Sequence, residues 1–334
     1  MGGLANEDTI YEFEPDKVED YSALLSSLRG YMRDRGFLEV ETPVLTPQKL
    51  GFNPPLSVEE ELNGESYSLR TAPMVSPLMG DVPKFFELGR SFREESGDSS
   101  SPEYNVHLFV ESGADYGKGM ELFQSLVVNA AEAVNGDAEI GYQGESFDLS
   151  DWQVIEWEDA FEEFADIGRE VYQSPERLEH FVEEELDVDP SDSPFSDSYN
   201  HLYHDFLLDT VLEEIEEDFR EPVILRNPPY HFEVPARPAE DGEHKQTADP
   251  YVAGMELGHI RTVETDGEEL REWHERMARL KQERGVEDAF DEDYLSVMDE
   301  LEDEPVMLGA IGVDRLAMLL LDEDSVDGVK NYRF

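Results

Sequence analysis

Apolar positions recur three and four apart over residues 16–35, at Val18, Tyr21, Leu24, Leu25, Leu28, Tyr31 and Met32. This spacing predicts an amphipathic helix, and Gly36 supplies its C-cap. Residues 37–47, FLEVETPVLTP, change to a strand pattern interrupted by Pro43 and closed by Pro47. SYSLRT (66–71) is a further strand, followed over 72–79 by a turn or helix opening with Pro73. Residues 86–92, FELGRSF, form a strand that delivers Arg93 into a Ser/Gly/Asp loop, and a second strand starts at Glu103. Helical spacing returns over 117–134. An acid-laden helical insertion is predicted over 152–186, with an exposed linker at 187–198 by its turn residues. An amphipathic helix follows over 201–218, then a buried strand at 221–225 and irregular chain at 227–238. Residues 249–265 read as two antiparallel strands joined by Ala253-Gly254, and 267–284 and 291–301 as charged helices. From Met307 a strand runs through Gly312 into an apolar helix.

Composition changes this picture in one respect. The 334 residues hold 81 acidic and 25 basic side chains, a formal net charge of −56. With a normal aromatic share, this is a folded chain under a carboxylate-covered surface rather than a disordered acidic one. Such a surface suits molar salt, where the Debye length is about 3 Å and self-repulsion is screened, and it points to an extremely halophilic source. The fold is expected to loosen at low salt, which circular dichroism during dilution from molar KCl would register. There is no cysteine, hence no disulfide and no thiolate metal site. With neither a signal peptide nor an apolar run of spanning length, a cytoplasmic protein without membrane contact is expected.

Candidate chemistry collects in three stretches. At the first hairpin Arg93 can pair with a phosphate, Glu95 can accept an adenine amino group, and Tyr104 can stack on a base. The same pattern also describes an ordinary hairpin with a solvated charged turn. Asp249 and Glu256, folded against each other on a hairpin, could share a divalent cation, or could be two more surface acids. Finally, Arg315 at the entry of an apolar helix, after Gly312, makes an anion site with the helix amides.

Taken together, these stretches resemble the class II aminoacyl-tRNA synthetases, most closely the aspartyl, asparaginyl and lysyl subclass. RGFLEVETP is similar to motif 1, FELGRSFREES with SPEYNVHLFVE to motif 2, and GAIGVDRL to motif 3, with Gly312, Asp314, Arg315 and Leu316 matching and Ala310 replacing a glycine. DPYVAGMELGHIR resembles the segment whose two acids bind Mg²⁺ between ATP phosphates, which implies Asp249 and Glu256 as metal ligands. GHIR matches the aspartyl and asparaginyl form of that segment, so Arg261, beside His259, would read the substrate side chain. The lysyl form, Asn-Gly-aromatic-x-Glu, is absent.

The resemblance implies an α+β fold, an antiparallel sheet flanked by helices, in one catalytic domain over 16–334 with a helical acidic insertion at about 152–200 and a short lead over 1–15. It implies ATP and Mg²⁺ as cofactors, a homodimer through the motif 1 helix and strand, and acyl-adenylate formation, with Arg93 and Arg315 as the catalytic pair. Three departures stand out. Met74 occupies the position of the Gln or Glu that contacts an α-ammonium, and the acid after motif 2 is replaced by Leu108 or Phe109. Ser99–Ser101 stand where a loop His or Arg is common. Motif 1 begins near residue 16, so an anticodon-binding barrel is not expected and the chain is likened to stand-alone paralogues. The expected function is an ATP-dependent ligase that activates an aspartate- or asparagine-like acid for a non-tRNA acceptor, such as ammonia, an amine or a protein lysine. The alternatives are a truncated enzyme acting on tRNA and a non-catalytic binding dimer.

Overall fold

A computed structural model describes residues 15–46, 67–93, 97–185, 221–230, 232, 234–283, 292–301 and 304–330. The first helix, α1 (Pro15–Asp34), buries Leu24, Leu28, Tyr31 and Met32, with Asp16 in its first turn and Arg33 in its last, as the helix dipole favours. Gly36 (φ +81°) reverses the chain, and the amide of Phe37 donates back to the Met32 carbonyl.

The strands that follow are β1 (Leu38–Glu39), β2 (Leu45–Thr46), β3 (Ser68–Leu69), β4 (Lys84–Phe92) and β5 (Glu103–Ser112). Helix α2 (Tyr116–Asn135) comes next, capped by Asp115, whose carboxylate accepts from the Lys118 amide. A hairpin not expected from sequence, β6 (Glu139–Tyr142) and β7 (Glu145–Asp148), leads to β8 (Gln153–Glu156), α3 (Trp157–Ala165), α4 (Arg169–Tyr172) and α5 (Pro175–Glu185). The chain continues through β9 (Val223–Arg226), β10 (Thr247–Val252), β11 (Met255–Glu256), β12 (Gly258–Thr262), α6 (Gly267–Glu283), α7 (Glu292–Leu301), β13 (Val306–Gly312), α8 (Val313–Leu321) and α9 (Val326–Val329). The insertion is therefore not helical from its start. Residues 153–156 form a strand because they find an open sheet edge and pair in parallel with β9. The lead up to residue 14, the linker at 187–198 and the helix expected over 201–218 lie outside the described residues.

The main sheet runs β1-β4-β5-β13-β12-β10-β9-β8, with β11 folded back on β10. Only the two edge pairs, β1 with β4 and β8 with β9, are parallel. This is the mostly antiparallel α+β sheet that the resemblance implied. One face is closed by α1, α2 and α8 over Phe86, Phe109, Phe123, Ile260, Ile311 and Leu316. On the other face, the described residues form two apolar clusters, one at each side. Trp157, Phe161 and Leu178 pack on Val223, Leu225 and Tyr251 at one side; Leu270, Leu295 and Met298 pack on Phe85, Val110 and Leu308 at the other. Between these clusters a strip of the sheet stays partly open. No helix among the described residues is long and apolar enough to cross a membrane.

One buried polar residue sits badly in the closed face. His107 is fully buried on β5, with ring centroids 5.3 Å from Phe86 and 6.0 Å from Phe109, and neither ring nitrogen has a hydrogen-bond partner among the described residues. Burial, helped by the charge of Arg29, pushes its pKa down from 6.5 to about 3. The unfolded chain takes up this proton near pH 6.5, whereas the folded chain refuses it until about pH 3. Stability from this residue is thus complete above the upper value and falls with pH through the window, by roughly 1.4 kcal/mol per pH unit. His107→Leu is expected to stabilise the protein and to flatten the slope, as read from urea unfolding of both forms between about pH 5 and 7.

Candidate active site

Residues paired directly across an antiparallel sheet share a face. Glu87, Leu108, Ala310 and His259 therefore make one row across β4, β5, β13 and β12 of the partly open face. On one side of it lies the row Phe85, Val110, Leu308, Arg261 and Thr247. On the other side lie Gly89, Val106 and Gly312, then Ser91 and Tyr104. Arg93 leaves β4 beyond them, its amide donating to the Pro102 carbonyl at 3.1 Å. Its guanidinium stands over the Tyr104 ring, 4.9 Å from the centroid. The Tyr104 hydroxyl donates to the carbonyl of Thr71, which fixes the ring.

The second stretch joins this face from β10 and β11. Ala253 (φ +53°) and Gly254 (φ +72°) both take the left-handed conformation of a two-residue hairpin turn. That turn sets Tyr251 opposite Glu256, so Glu256 and Asp249 share one side of the hairpin. Asp249 Oδ1 lies 2.6 Å from His259 Nδ1.

The third arrives from α8. Arg315 donates from Nε to the Ser99 carbonyl (3.1 Å) and from Nη1 to the Glu256 carbonyl (2.9 Å), and Nη1 stands 3.8 Å from Glu256 Oε2. The first turn that carries it is anchored by Asp314, whose carboxylate accepts from Tyr21, from both nitrogens of Asn105 and, in a buried pair, faces Lys330 at 3.6 Å.

Glu256 is the meeting point: Arg315, Asp249, His259 and Arg93 all lie within electrostatic reach of its carboxylate. Its pKa is raised, chiefly by desolvation within the site and further by Asp249, against the opposite pull of Arg315, His259 and Arg93. Because 43% of its side-chain surface still meets water, that push is partly screened.

Sequence reasoning missed a buried ion-pair network beneath this face. Arg70 Nη1 contacts Glu87 Oε1 at 2.6 Å, with the two side chains only 2% and 4% exposed. Arg70 also donates to the carbonyls of Arg90 and Thr42 and to Thr42 Oγ1. Glu87 Oε2 accepts from the amide and hydroxyl of Thr42, and the Met74 amide donates to that hydroxyl oxygen at 3.2 Å. Strand β4, the ETP segment and the segment at Met74 are thereby clamped together. The signal was present: an arginine in a chain with few basic residues, and a glutamate inside the apolar run FFEL.

Of the expected residues, the structure brings Arg93, Tyr104, Asp249, Glu256, His259, Gly312 and Arg315 to one end of the open strip. Arg261 is one row further in, and Met74 is held through its backbone beside Glu87. Glu95 lies outside the described residues. Among the described residues no group of three or more His, Cys, Asp or Glu could enclose a metal. Two carboxylates, Asp249 and Glu256, nevertheless fit Mg²⁺, which is commonly held by one or two carboxylates with substrate phosphates and water supplying the rest.

A family model described as tRNA synthetases class II (D, K and N) matches residues 16–333. Curated relatives include the lysine–tRNA ligase of Clostridium perfringens (strain 13 / Type A), 27% identical over 319 residues, covering 92% of this chain and 62% of the relative. That of Staphylococcus aureus (strain MRSA252) is 27% identical over 335 residues, covering 98% of this chain and 65% of the relative. That of Nostoc punctiforme is 29% identical over 316 residues, covering 92% and 54% respectively. The chain thus spans less than two thirds of the length of the curated relatives it matches. With a family match over almost its whole length and the motif residues gathered on one face of a mostly antiparallel sheet, the chain belongs to the class II tRNA synthetases of the D, K and N group.

Proposed function

We propose that this protein is an ATP-dependent ligase that activates a carboxylic acid as an acyl-adenylate. The observation that supports this reading is the convergence of Arg93, Arg315, Asp249 and His259 on Glu256 at the end of the open strip. A carboxylate oxygen of the acid attacks the α-phosphorus of ATP, the bond from that phosphorus to the β-phosphate bridge breaks, and pyrophosphate leaves. The nucleophile is already ionised, so no general base is needed. Arg93 faces the charge that grows on the α-phosphate, and Arg315, fixed by two carbonyls, holds the departing phosphates. Tyr104 supports Arg93 and lies where a base can stack, with Glu95 to accept the adenine amino group. Asp249 and Glu256 would hold Mg²⁺, which when bound neutralises phosphate charge.

Arg261, on the floor of the strip, favours a substrate with a second anionic group of the aspartate type and disfavours the cationic side chain of lysine. The adenylate is then passed to a nucleophile. We place ammonia, a small amine or a protein lysine first, with tRNA as the second reading, favoured by the printed name of the relatives. The exposed apolar residues Leu38, Val44 and Leu45, in the segment that follows α1 along the chain, support a homodimer through that helix and its strands. A binding dimer without catalysis would keep the fold and the ATP site but show no turnover. The test is ATP–pyrophosphate exchange in molar KCl with Mg²⁺ across a panel of acids. Exchange with one acid establishes activation, and its absence with every acid sinks the reading.

A further inference from the structure

The loop between β4 and β5 has little apolar surface of its own to bury. Over 97–101 it reads GDSSS, and Gly97 and Ser100 pair with each other through their backbones. Three carbonyls of this loop and of the strand start after it are nevertheless held, each by a donor from the C-terminal end of the chain. Asp98 accepts from the Val326 amide at 2.7 Å, Ser99 from Arg315 Nε at 3.1 Å, and Glu103 from Lys330 Nζ. Lys330 is the unusual member of this set. Its side chain is 4% exposed, as is that of Asp314, which faces the ammonium at 3.6 Å. Lysine and aspartate reach such burial when they are paired.

The pair touches both halves of the phosphate end. On one side the ammonium holds the carbonyl of Glu103, the residue before Tyr104, while the amide of Asn105, the residue after it, donates to Asp314 at 3.1 Å. Tyr104 is thus fixed through both neighbours, and the Arg93 guanidinium stands over its ring. On the other side the ammonium holds Asp314 in the first turn of α8, which carries Arg315. Lys17 of α1 steadies the chain between α8 and Lys330, pairing with Glu323 at 2.6 Å and donating to the Gly328 carbonyl at 3.5 Å.

We propose that Lys330 is a positioning residue for nucleotide phosphates: its ammonium sets the spacing between Arg93, on the hairpin, and Arg315, on α8, that one triphosphate has to bridge. The inference rests on the reading of the site as ATP-binding. Two guanidiniums on separate elements keep a fixed separation only if something rigid joins the elements. Here that joint is a buried ion pair, which molar salt does not screen because water does not reach it. Without the ammonium, Asp314 keeps a buried charge against the neutral donors of Tyr21 and Asn105 among the described residues, and α8 and the start of β5 separate to admit water. A displacement of about 1 Å produced at such a distance from the chemistry can cost about 10²-fold in rate.

The test uses the full chain in molar KCl with Mg²⁺ and two variants. Lys330→Met removes the ammonium and keeps the length of the side chain. Val326→Pro removes the donor to Asp98 at the first position of α9, where proline is tolerated. Calorimetric titration with α,β-methylene ATP and ATP–pyrophosphate exchange run beside urea unfolding. Lys330→Met is expected to weaken the analogue at least about tenfold and to lower kcat of exchange by about 10–100-fold, with KM for the acid nearly unchanged. A merely structural lysine would lower the unfolding midpoint and leave that split between ATP and acid unmoved. Val326→Pro should weaken the analogue about three- to tenfold, the worth of one net hydrogen bond, and unfold close to the wild type. Unchanged analogue affinity in Lys330→Met overturns the inference; should that variant fail to fold, unchanged affinity in Val326→Pro does so. Weakened analogue binding in the variants of a wild type that shows no exchange keeps the inference and sinks the activation chemistry, so the two fail separately. No analogue binding by the wild type overturns both.

Discussion

Arg315→Ala is expected to lower ATP–pyrophosphate exchange by about 10²–10³-fold, the usual loss when one preorganised donor to transition-state charge is removed. The size follows from how the guanidinium is held. Two carbonyl acceptors, of Ser99 and Glu256, fix its orientation before any nucleotide arrives, so little reorganisation is left for the reaction step. Both acceptors belong to the partly exposed rim, where water can replace the lost donors. The variant should therefore unfold at nearly the same denaturant concentration as the wild type. Arg315→Lys should recover only part of the rate, because an ammonium cannot satisfy two carbonyls and a phosphate in one plane. Retention of full exchange by Arg315→Ala in molar salt would remove this arginine from the chemistry.

Glu87→Leu is expected to destabilise the fold by about 3–5 kcal/mol, the cost of leaving one charge of a buried pair uncompensated. The Arg70–Glu87 contact is 2.6 Å long and almost wholly removed from water, so the salt that screens the acidic surface has no access to it. Loss of the carboxylate also orphans the amide and hydroxyl of Thr42, and with them the clamp on Met74. The double replacement Glu87→Leu with Arg70→Met should recover most of the loss, since an apolar pair of similar volume needs no counter-charge. Guanidinium chloride unfolding of the three proteins measures both effects. A loss below about 1 kcal/mol in Glu87→Leu would show that water reaches the pair.

Much of the site was legible because its residues stand where elements end. Arg93 follows a strand, Arg315 opens a helix, and Asp249 and Glu256 flank a turn whose Ala-Gly pair accepts the left-handed backbone. Such positions keep a recognisable spacing whatever the surface composition. Glu87 was not legible for the opposite reason. In a chain with 81 acids, one more glutamate attracts no notice, although its place between Phe86 and Leu88 meant that it had to be buried and paired. The strand at 153–156 was also lost. Its four residues have no periodicity of their own, and they are extended only because the edge of β9 is there to receive them.

The sequence by itself determined the class of the fold, the order of its main helices and strands, and the residue types at the phosphate end, because local period and motif spacing depend on near neighbours along the chain. The tertiary structure alone decided which carboxylates are engaged. Arg70, just past β3, is joined to Glu87 on β4, and His259 meets Asp249 only when β12 lies against β10. It also decided which of Leu108 and Phe109 faces the groove, a matter of strand register. Pairing of Leu108 with Glu87 and Ala310 turns it to the open face, and a slip of one residue would have turned Phe109 there instead.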